Sequence, residues 1–229
     1  MKLPNLLKEI GEIADREGIN AFVVGGFVRD ALLGISDKDI DIVVEANAID
    51  FAKILVDKLN VGARHALPLI VTHEGFKTAT INKGNYRVDV VTARKECYKK
   101  PAALPEVKAA TIREDLFRRD FTINAMAISL NKNNFGELVD FYNGKKDLES
   151  KKIRILHDKS FIDDPTRIFR AIRFQKRLGF VIEPRTQKLM TDAINMGMIE
   201  KLKKQRVKKE LDLFLKDKIC PGLKELQAK

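Results

Sequence analysis

The chain has 229 residues, 45% hydrophobic and 33% charged, with a formal net charge of +11 and an isoelectric point near 9.6. That length accommodates one large or two small domains with a proper core; no run nears the ~20 apolar residues of a membrane span, and Lys8, Glu9 and Glu12 interrupt anything like a signal peptide, so a cytoplasmic protein without a membrane partner is expected. Cys97 and Cys220 match no zinc or redox spacing, while the positive charge suggests a polyanionic partner, although a solvated lysine surface carries the same sign.

In chain order, the apolar stripe Leu6, Leu7, Ile10, Ile13 and Ala14 predicts an amphipathic helix ending at Gly18, and Ala21-Phe22-Val23-Val24 a short buried strand. Gly25-Gly26 turns into a helix that Leu32 and Leu33 help to bury and Gly34 stops. A strand through Asp39-Ile40-Asp41-Ile42-Val43-Val44 follows, then a helix capped by Asn47 that carries Ile49, Phe51, Ala52, Leu55, Val56 and Leu59. Strands at 69–71, 76–81 and 86–92 come next, the last two joined through Asn82-Lys83-Gly84-Asn85. Residues 93–110 lack periodicity and contain Pro101 and Pro105, which marks a long functional or mobile connection. Helix resumes near Ile112, 121–129 is an apolar segment, and beyond Gly144 the short strand Ile153-Arg154-Ile155-Leu156 precedes helices near 164–177, 184–196 and 205–216. Helix and strand signals mix up to about residue 145 and helical periodicity dominates afterwards, so an α/β domain over 1–145 and an all-α domain over 146–229 are expected.

Side chains alternate faces along a strand, so Asp39 and Asp41 project together while Ile40, Ile42, Val43 and Val44 read as buried. Two carboxylates that close repel unless a proton or cation lies between them, and hard oxygen donors suit Mg²⁺, which takes few carboxylates and completes its shell with substrate phosphates. Asp89, in the strand context Tyr86-Arg87-Val88-Asp89-Val90-Val91, joins the pair if a neighbouring strand brings it there. Such a trio holds two cations that activate a hydroxyl nucleophile and stabilise a leaving diphosphate. Aspartates also occur in Asx-turns, but the β-branched neighbours here indicate a strand. Gly25 and Gly26 let a phosphate approach the backbone, with Arg29 as a charged clamp; glycine also serves such turns for its dihedral angles alone.

Taken together, Gly25-Gly26-x-Val28-Arg29-Asp30, Asp39-x-Asp41, Arg118-Arg119-Asp120-Phe121-Thr122-Ile123-Asn124-Ala125, Asp140-x-x-x-Gly144-x-x-Asp147-Leu148 and Asp164-Pro165-x-Arg167-x-x-Arg170-Ala171-x-Arg173-Phe174 occur in the order found in one family. The chain resembles class II tRNA nucleotidyltransferases and bacterial poly(A) polymerases from about residue 18 to 215. The resemblance implies a polymerase-β-like nucleotidyltransferase head with a mixed sheet, followed by an all-α neck. It implies Asp39, Asp41 and Asp89 as catalytic ligands of Mg²⁺, and Gly25, Gly26 and Arg29 as triphosphate contacts. Arg119, Asp120 and Asn124 fall in the block that meets the incoming nucleotide. Asp164 and Arg167 would read the Watson–Crick edge of its base, supported by Arg170 and Arg173. The implied reaction is template-independent addition of A, with C as a further candidate, from ATP or CTP to the tRNA 3′ end, building or completing CCA. The stretch 98–107 resembles the flexible loop of members that add A. A bacterial poly(A) polymerase shares these blocks, and a nonenzymatic RNA-binding module is the alternative of another class. Relatives continue into body and tail domains, so with the chain stopping at Lys229 an additional chain or domain is expected to supply the RNA grip.

Bland readings stand beside several of these residues. Asp164 before Pro165 makes a good helix N-cap, and Arg167, Arg170 and Arg173 form a stripe opposite Ile168, Ala171 and Ile172 that fits a solvated helix face. The Arg118-Arg119-Asp120 block fits a structural ion pair, and 140–148 a tight turn. The lysines of 201–209 lie on a helix whose apolar face is Val207, Leu211 and Phe214, either solvated or touching RNA backbone. Asp163 stands where many relatives carry Glu, and His65, His73 and His157 are assigned no chemistry.

Overall fold

Leu6, Leu7, Ile10, Ile13 and Ala14 fall on one stripe of α1 (Asn5–Arg16), and all five are buried. The chain then turns at Gly18, whose φ of 65° suits glycine, and enters β1 (Ala21–Val24), buried along its whole length. The structure is a computed structural model that describes residues 3–59, 70–73 and 78–217; the features expected at His65, Leu69, Phe76 and Cys220 lie outside these residues. The chain divides into two compact units, one of Met1–Lys95, Lys108–Arg118 and Asn124–Phe141, the other of Glu96–Val107, Arg119–Ile123 and Tyr142–Lys229.

The first unit is built on a seven-stranded sheet ordered β3-β4-β5-β2-β1-β8-β9. Its remaining strands are β2 (Asp39–Val44), β3 (Ile70–His73), β4 (Thr78–Lys83), β5 (Tyr86–Thr92), β8 (Ala127–Ser129) and β9 (Leu138–Val139). Every pairing is antiparallel except β2 with β5. A parallel pair needs a crossover, and α3 (Ala48–Lys58) lies within it; Asn47 caps this helix by accepting from the Ile49 N–H at 3.0 Å. Ile49, Phe51, Ala52, Leu55 and Leu59 bury one face of α3. The β4–β5 hairpin closes through Gly84-Asn85, with Gly84 at φ 58°. Leu32 and Leu33, expected to bury α2 (Gly26–Leu32), are only half-buried; Phe27, Val28, Arg29 and Asp30 form its inner side instead.

The connection at 93–110 is more regular than its composition predicts: β6 (Arg94–Cys97) and β7 (Glu106–Ala109) pair as a two-stranded sheet. Both are largely exposed, so no apolar alternation announces them. A capping box between Thr111 and Glu114 starts α4 (Ile112–Phe117).

The second unit contains α5 (Gly144–Glu149), β10 (Lys152–Ile153), α6 (Ser160–Asp163), α7 (Thr166–Leu178), β11 (Val181–Ile182), α8 (Pro184–Asn195) and α9 (Lys204–Lys216). From Tyr142 onward its described residues are helical apart from the small parallel pair β10–β11; α5 and α6, both short, left no periodic signal. Two expected faces are corrected. On α7 the stripe residues Arg167 and Arg173 are 4% and 8% exposed whereas Ile172 is 41% exposed, so the helix buries these two arginines along with Ile168 and Ala171 and presents Ile172. On α9 Leu211 is 48% exposed and Glu210 is buried, because the side packed towards α7 meets arginines rather than apolar side chains.

Gly11 marks the closest approach in the first unit's core: a Cβ there would lie 1.9 Å from the Leu130 carbonyl oxygen, a backbone atom that cannot step aside. Gly11→Ala should therefore destabilise the fold by about 2–3 kcal/mol, read as a fall of roughly 5–10 °C in the thermal midpoint.

Candidate active site

Register assembles the acidic group. In the parallel β2–β5 pair Asp41 lies opposite Asp89 and Asp39 opposite Arg87, while on the other flank Val24, the last residue of β1, lies opposite Asp41. Asp39 and Asp41 are exposed and the intervening Ile40 is 1% exposed, so both carboxylates leave the same face. Directly opposed residues on adjacent strands share a face as well. The Asx-type contact at the entry to β2 belongs to Asp37, whose carboxylate accepts from the Asp39 N–H at 3.0 Å.

The third carboxylate is already engaged. Thr80, opposite Asp89 on β4, donates its hydroxyl to Asp89 Oδ1 at 2.5 Å, and Arg87 Nη2 lies 3.1 Å from Asp89 Oδ2. Among the described residues no group of three or more His, Cys, Asp and Glu side chains is gathered tightly enough to hold a metal. The donor set nonetheless fits the implied divalent cation. Mg²⁺ needs only one or two protein carboxylates when phosphates complete its shell, and Asp39 and Asp41 supply hard oxygens at the surface. Asp89 stands beside them, held by a neutral hydroxyl and an exposed guanidinium.

The glycine turn lies at the same end of β1. Gly25 has φ 71° and ψ −131°, a conformation closed to L side chains, and its N–H donates to the Met126 carbonyl at 3.2 Å. Arg29, one turn into α2, is 3% exposed. Its Nε and Nη2 donate to Asp30 at 2.7 and 2.8 Å, and its Nη1 to Asn124 Oδ1 at 2.6 Å. Two expected nucleotide contacts, Arg29 and Asn124, are thereby brought together, and a Cβ on Gly26 would stand 3.6 Å from Arg29 Nη2.

The second unit gathers the remaining expected residues into a charged lattice. Asp120, 7% exposed, accepts from Arg170 Nε and Nη2 at 2.8 and 2.6 Å through Oδ2 and from the Phe121 N–H at 2.8 Å through Oδ1. That pairing with Asp120 raises the Arg170 pKa above its usual range. Arg119 is half-buried. Asp164 Oδ1 accepts from the Thr166 N–H at 3.0 Å, the Thr166 hydroxyl at 2.6 Å and Arg206 Nη2 at 2.9 Å. The cap reading of Asp164 is thus realised on one oxygen, and among the described residues Oδ2 accepts none of these bonds. Arg167 donates to Ser160 Oγ at 2.5 Å. Arg173 lies 3.7 Å from Glu210 and 3.4 Å from Asp217; burial lowers its pKa first and nearby Arg170 second, yet a guanidinium stays charged. Arg170 and Arg173 both lie against the Phe174 ring, 5.5 and 5.3 Å from its centre.

Sequence reasoning missed these partners. Arg87 was detectable, since it sits two residues before Asp89 in a strand and must share its face. Thr80 required the hairpin register. Ser160, Arg206, Glu210 and Asp217 come from elements whose placement no local pattern reveals. Asp147, expected in a tight turn, sits on α5 and accepts from the Thr122 hydroxyl at 2.8 Å and Arg154 Nε at 2.9 Å, a structural tie.

The chain is similar to two A-adding tRNA nucleotidyltransferases. That of Geobacter sulfurreducens is 43% identical over 214 residues, 93% of this chain and 24% of the relative; that of Halalkalibacterium halodurans is 42% identical over 212 residues, 91% and 48%. Among solved structures, the Thermotoga maritima CCA-adding enzyme complexed with tRNA-CCA aligns with a TM-score of 0.78 at 45% identity, over 93% of this chain and 47% of that one. The chain thus spans between about a quarter and half the length of these relatives. The Poly A polymerase head domain model matches residues 21–154, a stretch that takes in the glycine turn, the aspartates of β2 and β5 and the segment 118–125, and the chain belongs to that family.

Proposed function

We propose that this chain carries the nucleotide-adding chemistry of a template-independent tRNA nucleotidyltransferase that adds A, with C as a further candidate, to the tRNA 3′ end. The reading rests on one observation above all: Asp39 and Asp41 on one face, with Asp89 in register opposite Asp41, next to a glycine turn at the end of β1. The A-adding relatives and the stretch 98–107 favour A as the nucleotide. In this proposal residues 1–145 form the catalytic head and 146–229 the neck, and the protein works in the cytoplasm.

Divalent-metal dependence accompanies the family, and we assign the ion as Mg²⁺ held by Asp39 and Asp41, with Asp89 as the further carboxylate. When bound, Mg²⁺ supplies charge neutralisation at the α-phosphate and a lowered pKa for the RNA 3′-hydroxyl. The chain's own residues do the rest. The Gly25-Gly26 backbone and Arg29 bind the triphosphate, Arg119 and Asp120 hold the nucleotide, and the 3′-hydroxyl oxygen attacks the α-phosphorus as diphosphate leaves in line. Asp164 offers Oδ2 to an amino group on the base edge and Arg167 donates to a ring nitrogen or carbonyl, with Arg170 and Arg173 fixing the helix that carries them.

Incubation with Mg²⁺, a tRNA lacking its terminal A and each labelled nucleotide in turn tests the proposal. Incorporation of a single A supports it. Long tails on unrelated RNA would instead indicate a poly(A) polymerase, and binding without incorporation an RNA-binding module. Asp39→Asn/Asp41→Asn should lower incorporation by at least about 10³-fold while leaving the melting curve in place. Asp164→Asn keeps a capping oxygen but turns one acceptor into a donor, so the preference for ATP over GTP should shrink by roughly 10- to 100-fold in competition assays.

A further inference from the structure

A guanidinium presents five N–H donors in a rigid plane, and at Arg29 that plane is set by two neighbours. Asp30 takes Nε and Nη2 in a bidentate pair at 2.7 and 2.8 Å, and Asn124 takes Nη1 at 2.6 Å. Arg29, Asp30 and Asn124 are 3%, 1% and 6% exposed, so water offers little competition and the orientation is firmly held. The two anchors differ in origin. Asp30 is the next residue on the same helix, whereas Asn124 lies 95 residues away and begins the segment that leads through Met126, acceptor of the Gly25 N–H, into β8. The same segment therefore fastens both the turn and the arginine beneath it, and Nη2 lies close under Gly26.

The charges matter as much as the distances. Asp30 neutralises the buried cation while no ligand is present, which a lone buried guanidinium would not tolerate. Asn124 accepts a hydrogen bond through an amide oxygen without adding a second negative charge. An Asp in its place would leave the cluster net negative and oppose a triphosphate.

We infer that Asn124, with Asp30, is a positioning residue: it sets the plane of the Arg29 guanidinium for the β- and γ-phosphates of the incoming nucleotide and acts through Arg29 rather than by touching the nucleotide. This replaces the direct nucleotide contact that the sequence suggests for Asn124, and it rests on the proposed function above.

The test compares binding of ATP and of adenosine, in Mg²⁺ and without RNA, to the full chain. Wild type should prefer ATP; no preference would sink the proposed function and this inference with it. Given that preference, Asn124→Ala should reduce the ATP-to-adenosine affinity ratio about tenfold, with adenosine binding changed less than about twofold and the thermal midpoint showing that the protein remains folded. Should Asn124→Ala not fold, Asn124→Leu, which keeps the branching of the side chain and lacks the acceptor, takes its place. In an Arg29→Met/Asp30→Asn background, which removes both buried charges, the Asn124 substitution should alter the ratio by less than about twofold. An unchanged ratio in the single variant, or a tenfold effect that persists without Arg29, would overturn the inference.

Discussion

The parallel pairing of β2 with β5 is the constraint on which the first unit's chemistry depends. It is the one parallel pairing in a sheet otherwise antiparallel, and it sets Asp41 beside Asp89. A slip of one residue would turn every side chain of β2 to the other face, burying two carboxylates and exposing Ile40 and Ile42. The slip is prevented from inside: Ile42, Val43 and Val44 are at most 1% exposed. The aspartates are therefore held at the surface by the apolar residues that follow them, and the strand runs from a polar mouth into the core.

Around that strand, polar groups are fixed by partners distant in sequence. Arg29 reaches Asn124, Thr80 reaches Asp89, and the Gly25 N–H reaches Met126. Such bonds contribute modestly when intact and cost more when one partner is removed, so they specify geometry more than they add stability. The second unit applies the same principle with charge. Arg167 and Arg173 sit buried on α7 because Ser160, Glu210 and Asp217 meet them there, and Lys176 covers the Phe214 ring at 4.2 Å across the same helix pair. A helix with arginine on its inner side stays folded only where acids and aromatic faces are supplied to it.

Elements with a strong local signal were legible. The stripe of α1, the buried run of β1, the Asn47 cap and the Gly84 turn each depend on residues within a few positions of one another. The β6–β7 pair was not, since exposed strands show no alternation of burial, and neither were α5 and α6, too short to display a period. Leu211 and Ile172 misled because apolar spacing identifies a face but cannot say whether anything covers it. Asp164 shows how two readings coexist, one oxygen capping its helix while the other accepts none of those bonds.

By itself the sequence determined the chemical vocabulary of this protein: paired aspartates two apart in a strand, a glycine turn ahead of them, an ordered set of arginine and aspartate blocks, and a switch from mixed to helical structure near residue 145. These follow from periodicity and residue chemistry, which act over short range. Tertiary structure alone decided which acid faces which, that Thr80 holds Asp89, that Asn124 reaches Arg29, and that Arg167 and Arg173 of α7 point inward. Strand register and the partners of a buried charge are set by packing between segments far apart in the chain, and no local pattern encodes them.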